Sequence, residues 1–137
     1  MEYKVNKEQA EEEFFQWAES LDIDCDVESM DSEELEDFNK IKKQIVFAIR
    51  RGRAAITEEG ELHLNLKKSF DGKDQLVFGC EFNSSAFVMM DRHKEKEGMK
   101  KTLSFLGGWT KTDPKQLHKL DARDMKLCLS LVTLFLA

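Results

Sequence analysis

The 137-residue sequence holds one proline, one tyrosine, three histidines and three cysteines, and no apolar run of membrane-spanning length. A spanning helix needs about 20 predominantly apolar residues, so no transmembrane segment is expected. Cys25, Cys80 and Cys128 are odd in number, widely spaced and without a Cys-x-x-Cys pair, the pattern of reduced thiols rather than of a disulfide framework. No Walker loop, Gly-rich dinucleotide turn or His-Glu-x-x-His stretch occurs. His63, His93 and His118 fall in three separate segments, so no metal-ligand spacing exists and no metal is expected. The opening Met-Glu-Tyr-Lys-Val-Asn-Lys-Glu lacks the apolar stretch of a secretory signal, which makes a cytosolic protein the expectation. With no recognisable catalytic constellation, the expectation is a protein that is not an enzyme and carries no cofactor.

Apolar residues make up 41% and charged residues 35%, a balance that supports one globular domain with a real core. The net charge of −6 conceals an asymmetry. Residues 1–37 carry fifteen acids against Lys4 and Lys7, while residues 38–137 carry nineteen Lys and Arg against twelve acids. The domain reading follows this shift: an acidic N-terminal helix and linker over 1–37, then an α+β domain over 38–137. On that reading the acidic segment is dispensable, and a chain starting near Asp31 folds cooperatively. Two basic clusters stand out, Arg50, Arg51, Arg53 and Lys94, Lys96, Lys100, Lys101. The second is interleaved with Glu95 and Glu97, and neither carries a set of aromatics for base stacking, so no nucleic-acid partner is expected.

Hydrophobic spacing supplies the elements. Ala10, Phe14, Trp17, Ala18 and Leu21 fall at helical spacing behind an Asn6 cap. Leu35, Phe38, Ile41, Ile45 and Ile49 form a second amphipathic stripe behind Asp31, with Gly52 as its stop. The period then becomes two. Ala54 and Ile56, then Leu62, Leu64 and Leu66, then Leu76, Phe78, Cys80 and Phe82 predict three short strands joined by turns at Glu58–Glu61 and Asp71-Gly72. Asn83-Ser84-Ser85 caps a short helix through Met89 and Met90. Met99, Leu103 and Leu106 make another helix, expected to stop at Gly107-Gly108. Asp113-Pro114 starts a further helix. Asp121 caps the last one, with Asp124 completing a capping box. That last helix carries Leu127, Leu129, Leu131, Val132, Leu134, Phe135 and Leu136, apolar around the whole wheel, so it must be buried in the core or by another molecule. The predicted fold class is α+β: a mainly helical single domain with a small three-stranded antiparallel sheet.

Residues 44–137 resemble the tail assembly chaperones of long-tailed bacteriophages. The resembling pieces are Ile49-Arg50-Arg51-Gly52-Arg53 leading to Ile56-Thr57-Glu58-Glu59-Gly60-Glu61, Met99-Lys100-Lys101-Thr102-Leu103 leading to Leu106, and Pro114 to Leu120 followed by Ala122-Arg123-Asp124 and the apolar ending Leu131 to Leu136. The Phe82-Asn83-Ser84-Ser85 stretch stands where many members carry a Pro-Thr pair, and residues 1–37 have no counterpart. The resemblance implies a non-enzymatic protein of the host cytoplasm that coats and solubilises the helical tape measure protein, helps recruit tail tube subunits and self-associates. The unbranched, polarizable Met side chains suit an adaptable apolar groove. The candidate client-binding residues are accordingly Met89, Met90, Met99, Leu103, Leu131 and Phe135. The alternatives are a small acidic inhibitor acting on a basic partner by charge mimicry, and a minor virion structural protein.

Overall fold

A computed structural model of the chain describes residues 4–23, 25–70, 72–79 and 98–136. Their elements are α1 (Lys7–Ser20), a 3-10 turn (Val27–Ser29), α2 (Ser32–Arg50), β1 (Ala54–Ile56), β2 (Leu62–Phe70), β3 (Lys73–Phe78), α3 (Gly98–Thr110), a second 3-10 segment (Pro114–Lys119) and α4 (Ala122–Leu136). The fold is α+β and mainly helical, with one three-stranded antiparallel sheet in the order β1-β2-β3. Cys80 and Phe82, expected to prolong the third strand, lie outside the described residues, as does the expected short helix carrying Met89 and Met90.

Local chemistry sets the helix ends. Asn6 and Asp31 each accept, through the side chain, the backbone N–H three residues on, at 2.8 Å. This satisfies a donor that the helix leaves orphaned. At the other end of α2, Gly52 adopts φ +77°. Its N–H donates to Ile49 O at 3.0 Å and that of Arg53 to Ala48 O at 2.9 Å, the paired bonds of a Schellman motif. The N-terminal arm crosses this end, with Lys4 N donating to Arg50 O at 2.7 Å.

The expected stop at Gly107-Gly108 is not where α3 ends; the helix runs through to Thr110. A Cβ on Gly107 would come within 2.6 Å of Thr112 O and 2.8 Å of Pro114 Cγ. Glycine is needed there because the returning chain crosses the helix at close range, and Lys111 at φ +56° turns it back.

The sheet is a meander. Leu64 stands opposite Ala54 on one side and Leu76 on the other, and Leu62 opposite Ile56 and Phe78. Ala54, Leu62, Leu64, Leu76 and Phe78 are buried beneath the helices. The opposite face, with Asn65, Gln75 and Val77, is exposed. The core holds two aromatic groups. Phe14 packs against Trp17 and Phe38 at 6.2 Å between α1 and α2. Trp109 meets Phe78 edge-on at 5.0 Å and lies 5.4 Å from Phe135, joining β3, α3 and α4. The Trp109 indole N–H also donates to Gly79 O at 2.8 Å.

Two expectations meet the packing here. Helix α1 belongs to the acidic segment, yet Ala10, Phe14, Trp17 and Ala18 are fully buried in the same cluster as the strands and α4. That burial argues against the expectation that the segment is dispensable. Glu8, Glu12 and Glu19 of α1 are exposed, while Glu13 is half-buried and its burial holds the carboxyl above the usual range; the charge count along the chain says nothing of the apolar inner face. Secondly, α4 is not apolar all round. Leu127, Cys128, Leu131, Val132 and Leu134 are buried. Lys126 and Thr133 are exposed, with half-buried Ser130 between them. Those three fall at helical spacing and form an outer stripe.

Removing residues 1–30 should therefore abolish the cooperative urea transition of the remaining chain. In the full chain, Trp17→Ala should lower the unfolding free energy by about 3–5 kcal/mol, the usual cost of emptying an aromatic core site.

Candidate functional site

Of the six residues singled out from the sequence, the four among the described residues do not form one exposed surface. Met99 is 59% exposed at the start of α3, whereas Leu103 is half-buried against the core. Leu131 is fully buried, and Phe135 stacks on Phe105 at 5.7 Å. Leu131 offers no apolar surface to a client, and half-buried Phe135 is engaged with Phe105 and Trp109 of α3. Met89 and Met90 lie outside the described residues.

The accessible relief is elsewhere, on the outer side of α2. Phe47 projects there with 41% of its surface exposed, and Arg51, one turn on, lies over its ring at 5.4 Å. A groove of about 340 Å³ runs between α1 and α2 on one side of Phe47, lined by Lys7, Glu11, Lys42, Lys43, Val46 and Arg50 among others. Further along, Lys42 sits 4.8 Å above the ring of the exposed Phe15. On the other side of Phe47 a cleft of about 210 Å³ opens between α2, β2 and α4, lined by Arg51, Arg53, Lys67, Arg123, Lys126 and Leu127 among others. Phe47 forms part of both walls. The two hollows therefore make a cation-rich apolar surface with an aromatic ridge down its middle. The sequence shows Arg50, Arg51 and Arg53 as a basic cluster and does not by itself single out Phe47, which lies between the buried positions Val46 and Ala48. The usable signal was Lys43, Phe47, Arg50 and Arg51, one stripe at steps of three and four opposite the apolar one.

The second cleft is built on a buried ion pair. Asp124 is fully buried. One of its oxygens accepts from Arg53 Nη2 at 2.6 Å and the other from the backbone N–H of Lys67 at 2.9 Å. This corrects the capping-box reading. Asp121 does cap α4, accepting the Arg123 N–H at 2.9 Å, but Asp124 turns inward to the strand rather than back to the cap. The carboxylate joins the residue after the Schellman turn, the middle of β2 and the first turn of α4, where the helix dipole also favours a negative charge. Nearby, burial first and the Asp124 charge second push the Cys128 thiol up to about 12, which leaves it an inert core group. At the exposed edge, hydrogen bonds from the Arg123 side chain first and its N–H second hold the Asp121 carboxyl down to about 2.

Among the described residues no cluster of His, Cys, Asp or Glu could hold a metal ion, and no helix is long and apolar enough to cross a membrane. His63 reaches Glu61 at 3.4 Å, and His118 bonds the Lys115 carbonyl at 2.7 Å. No family model, curated protein or solved structure matches the chain.

Asp124→Asn keeps the shape but leaves Arg53 without its countercharge, and should cost about 3 kcal/mol in urea unfolding, since removing one partner of a buried pair strands the other. Asp121 behaves oppositely with pH to a group whose pKa is raised. Its depressed folded pKa supports the native state above the ordinary carboxylate range, and that support is lost as pH falls toward 2. Carboxyl NMR titration should show Asp121 still ionised at a pH where exposed aspartates are half protonated.

Proposed function

We propose that the protein is a binding protein without turnover, a tail assembly chaperone of a long-tailed bacteriophage. It works in the host cytoplasm, keeps the tape measure protein soluble and helps recruit tail tube subunits. The observation that carries the binding part is the pair of grooves flanking Phe47 on α2. Open hollows with aromatic and aliphatic walls and long cationic side chains suit an amphipathic helix laid along them. Recognition of that kind gains from apolar area removed from water and reads anchors at helical spacing. Lys and Arg stems add apolar cover while their charges stay wet. The resemblance over residues 44–137 supplies the client, a long helical protein otherwise prone to aggregate.

The placement of the residues changes the mechanism first expected. Helix α4 supports the binding face from within, through Asp124 and Leu131, and lends it only its first turns, where Arg123, Lys126 and Leu127 line one groove. Met99 adds an exposed apolar side chain at the start of α3. Self-association and the recruitment of tube subunits rest on the resemblance.

A second reading has one observation behind it. Glu33, Glu34, Glu36 and Asp37 are all exposed at the start of α2. Such a field would steer the protein onto a basic target, as an inhibitor acting by charge mimicry requires.

Co-expression with the tape measure protein from the same genome separates the two readings. Soluble client should rise several-fold and co-purify with this chain, and Phe47→Glu should reduce both without lowering the chain's own solubility. No gain in soluble client and no co-purification at low salt would count against the chaperone role and in favour of the inhibitor.

A further inference from the structure

The cleft between α2, β2 and α4 carries five cations, Arg51, Arg53, Lys67, Arg123 and Lys126, and no carboxylate in its lining. Two of the five are answered from outside the lining: Arg53 by the buried Asp124, and Arg123 by Asp121 at 3.0 Å. Arg51, Lys67 and Lys126 are exposed and have no carboxylate partner among the described residues. An excess of three positive charges thus surrounds a hollow of about 210 Å³. Its remaining walls are Phe47, Ala48 and Leu127, which are apolar, and the neutral amide of Gln44. Like charges held this close repel, and the arrangement gains most from an anion that also brings apolar surface.

The rest of the molecule narrows the kind of anion. The chain is −6 overall, and the exposed acids Glu33, Glu34, Glu36 and Asp37 sit at the opposite end of α2 from Arg50 and Arg51. The 19 residues of that helix span about 28 Å at 1.5 Å per residue. A long polyanion that followed α2 from the cleft would meet that acidic end and be repelled, whereas a short acidic segment would not. Bases also need exposed aromatic faces to stack on, and Arg51 already covers the Phe47 ring. Carboxylates, in contrast, match the planar fork of Arg51 and the point charges of Lys67 and Lys126.

We propose that this cleft docks an acidic segment of a protein client, with two or more carboxylates set against Arg51, Lys67 and Lys126 and an apolar side chain between them against Phe47 and Leu127. The proposal deepens the chaperone reading, on which it rests, by stating the chemistry that the client presents to this site.

The test is fluorescence anisotropy with the full chain and a labelled peptide of alternating Glu and Leu, against the same peptide with Gln for Glu and against a single-stranded oligonucleotide of equal length. The Glu peptide should bind, weaken as salt rises, and lose about tenfold in affinity with Arg51→Glu or Lys126→Glu, as expected for charge pairs flanking an apolar contact. Lys115→Glu, outside the cleft, should bind as the parent does, and all three variants should keep the parental melting temperature. Unchanged binding in Lys126→Glu overturns the proposal. So does tighter binding of the oligonucleotide through the same residues, which would make this a phosphate site. So does a salt-labile self-association by sedimentation that Lys126→Glu abolishes, which would give the cleft to the acidic end of a second copy. Solubilised tape measure protein with an unaffected Lys126→Glu would leave the chaperone role standing and remove the cleft from it.

Discussion

One buried carboxylate ties this fold together. Asp124 has no contact with water, yet its two oxygens reach Arg53 beyond the end of α2 and the backbone of β2 at Lys67. Burying a charge is costly unless it is paired and hydrogen-bonded, and here each oxygen has its own donor. The pairing fixes how α4 enters the core. Leu127, Cys128 and Leu131 then face inward, and Phe135 reaches the aromatic group around Trp109. It also decides the surface above. Arg53 is held down by Asp124 and Arg123 by Asp121, while Lys67 and Lys126 are left facing outward. The basic cleft is thus the outer side of the ion pair that locks the inner one.

Much of the fold was legible because its elements obey simple periods. The stripes of α1 and α2, the alternation of the strands, the caps at Asn6 and Asp31 and the Gly52 stop all depend on residues within a few positions of each other. What was not legible depends on contacts between segments far apart in the chain. Asp124 reads as half of a capping box until β2 supplies the Lys67 N–H and Arg53 arrives from 71 residues away. Gly107 reads as a helix stop until Pro114 is seen crossing over it. The acids of α1 suggest a detached arm because charge is counted along the chain, whereas burial is decided by face, and the inner face holds Phe14 and Trp17.

The candidate surface was less legible than the fold, for a related reason. Apolar residues in the terminal helix draw attention as interaction sites, but a chain of this size needs them for its own core. Surface apolar residues are informative when they cluster with a shape and a charge around them, as Phe47 does between two grooves. Lys43, Arg50 and Arg51 end the same helix that Glu33, Glu34, Glu36 and Asp37 begin, so charge is polarised along α2 itself. A client that meets this surface is oriented by the polarity as well as held by the grooves. Specificity from charge and adhesion from apolar area are thereby carried by neighbouring residues on one helix.

The central claim is that the outer side of α2, with the grooves on both sides of Phe47, is where the client binds. Hydrogen–deuterium exchange on the chain alone and on its complex with co-expressed tape measure protein tests this most directly. The account predicts added protection over residues 39–51 and 123–127 in the complex, with the interior of the sheet unchanged. Protection confined to the start of α3 around Met99, with none on α2, would contradict it.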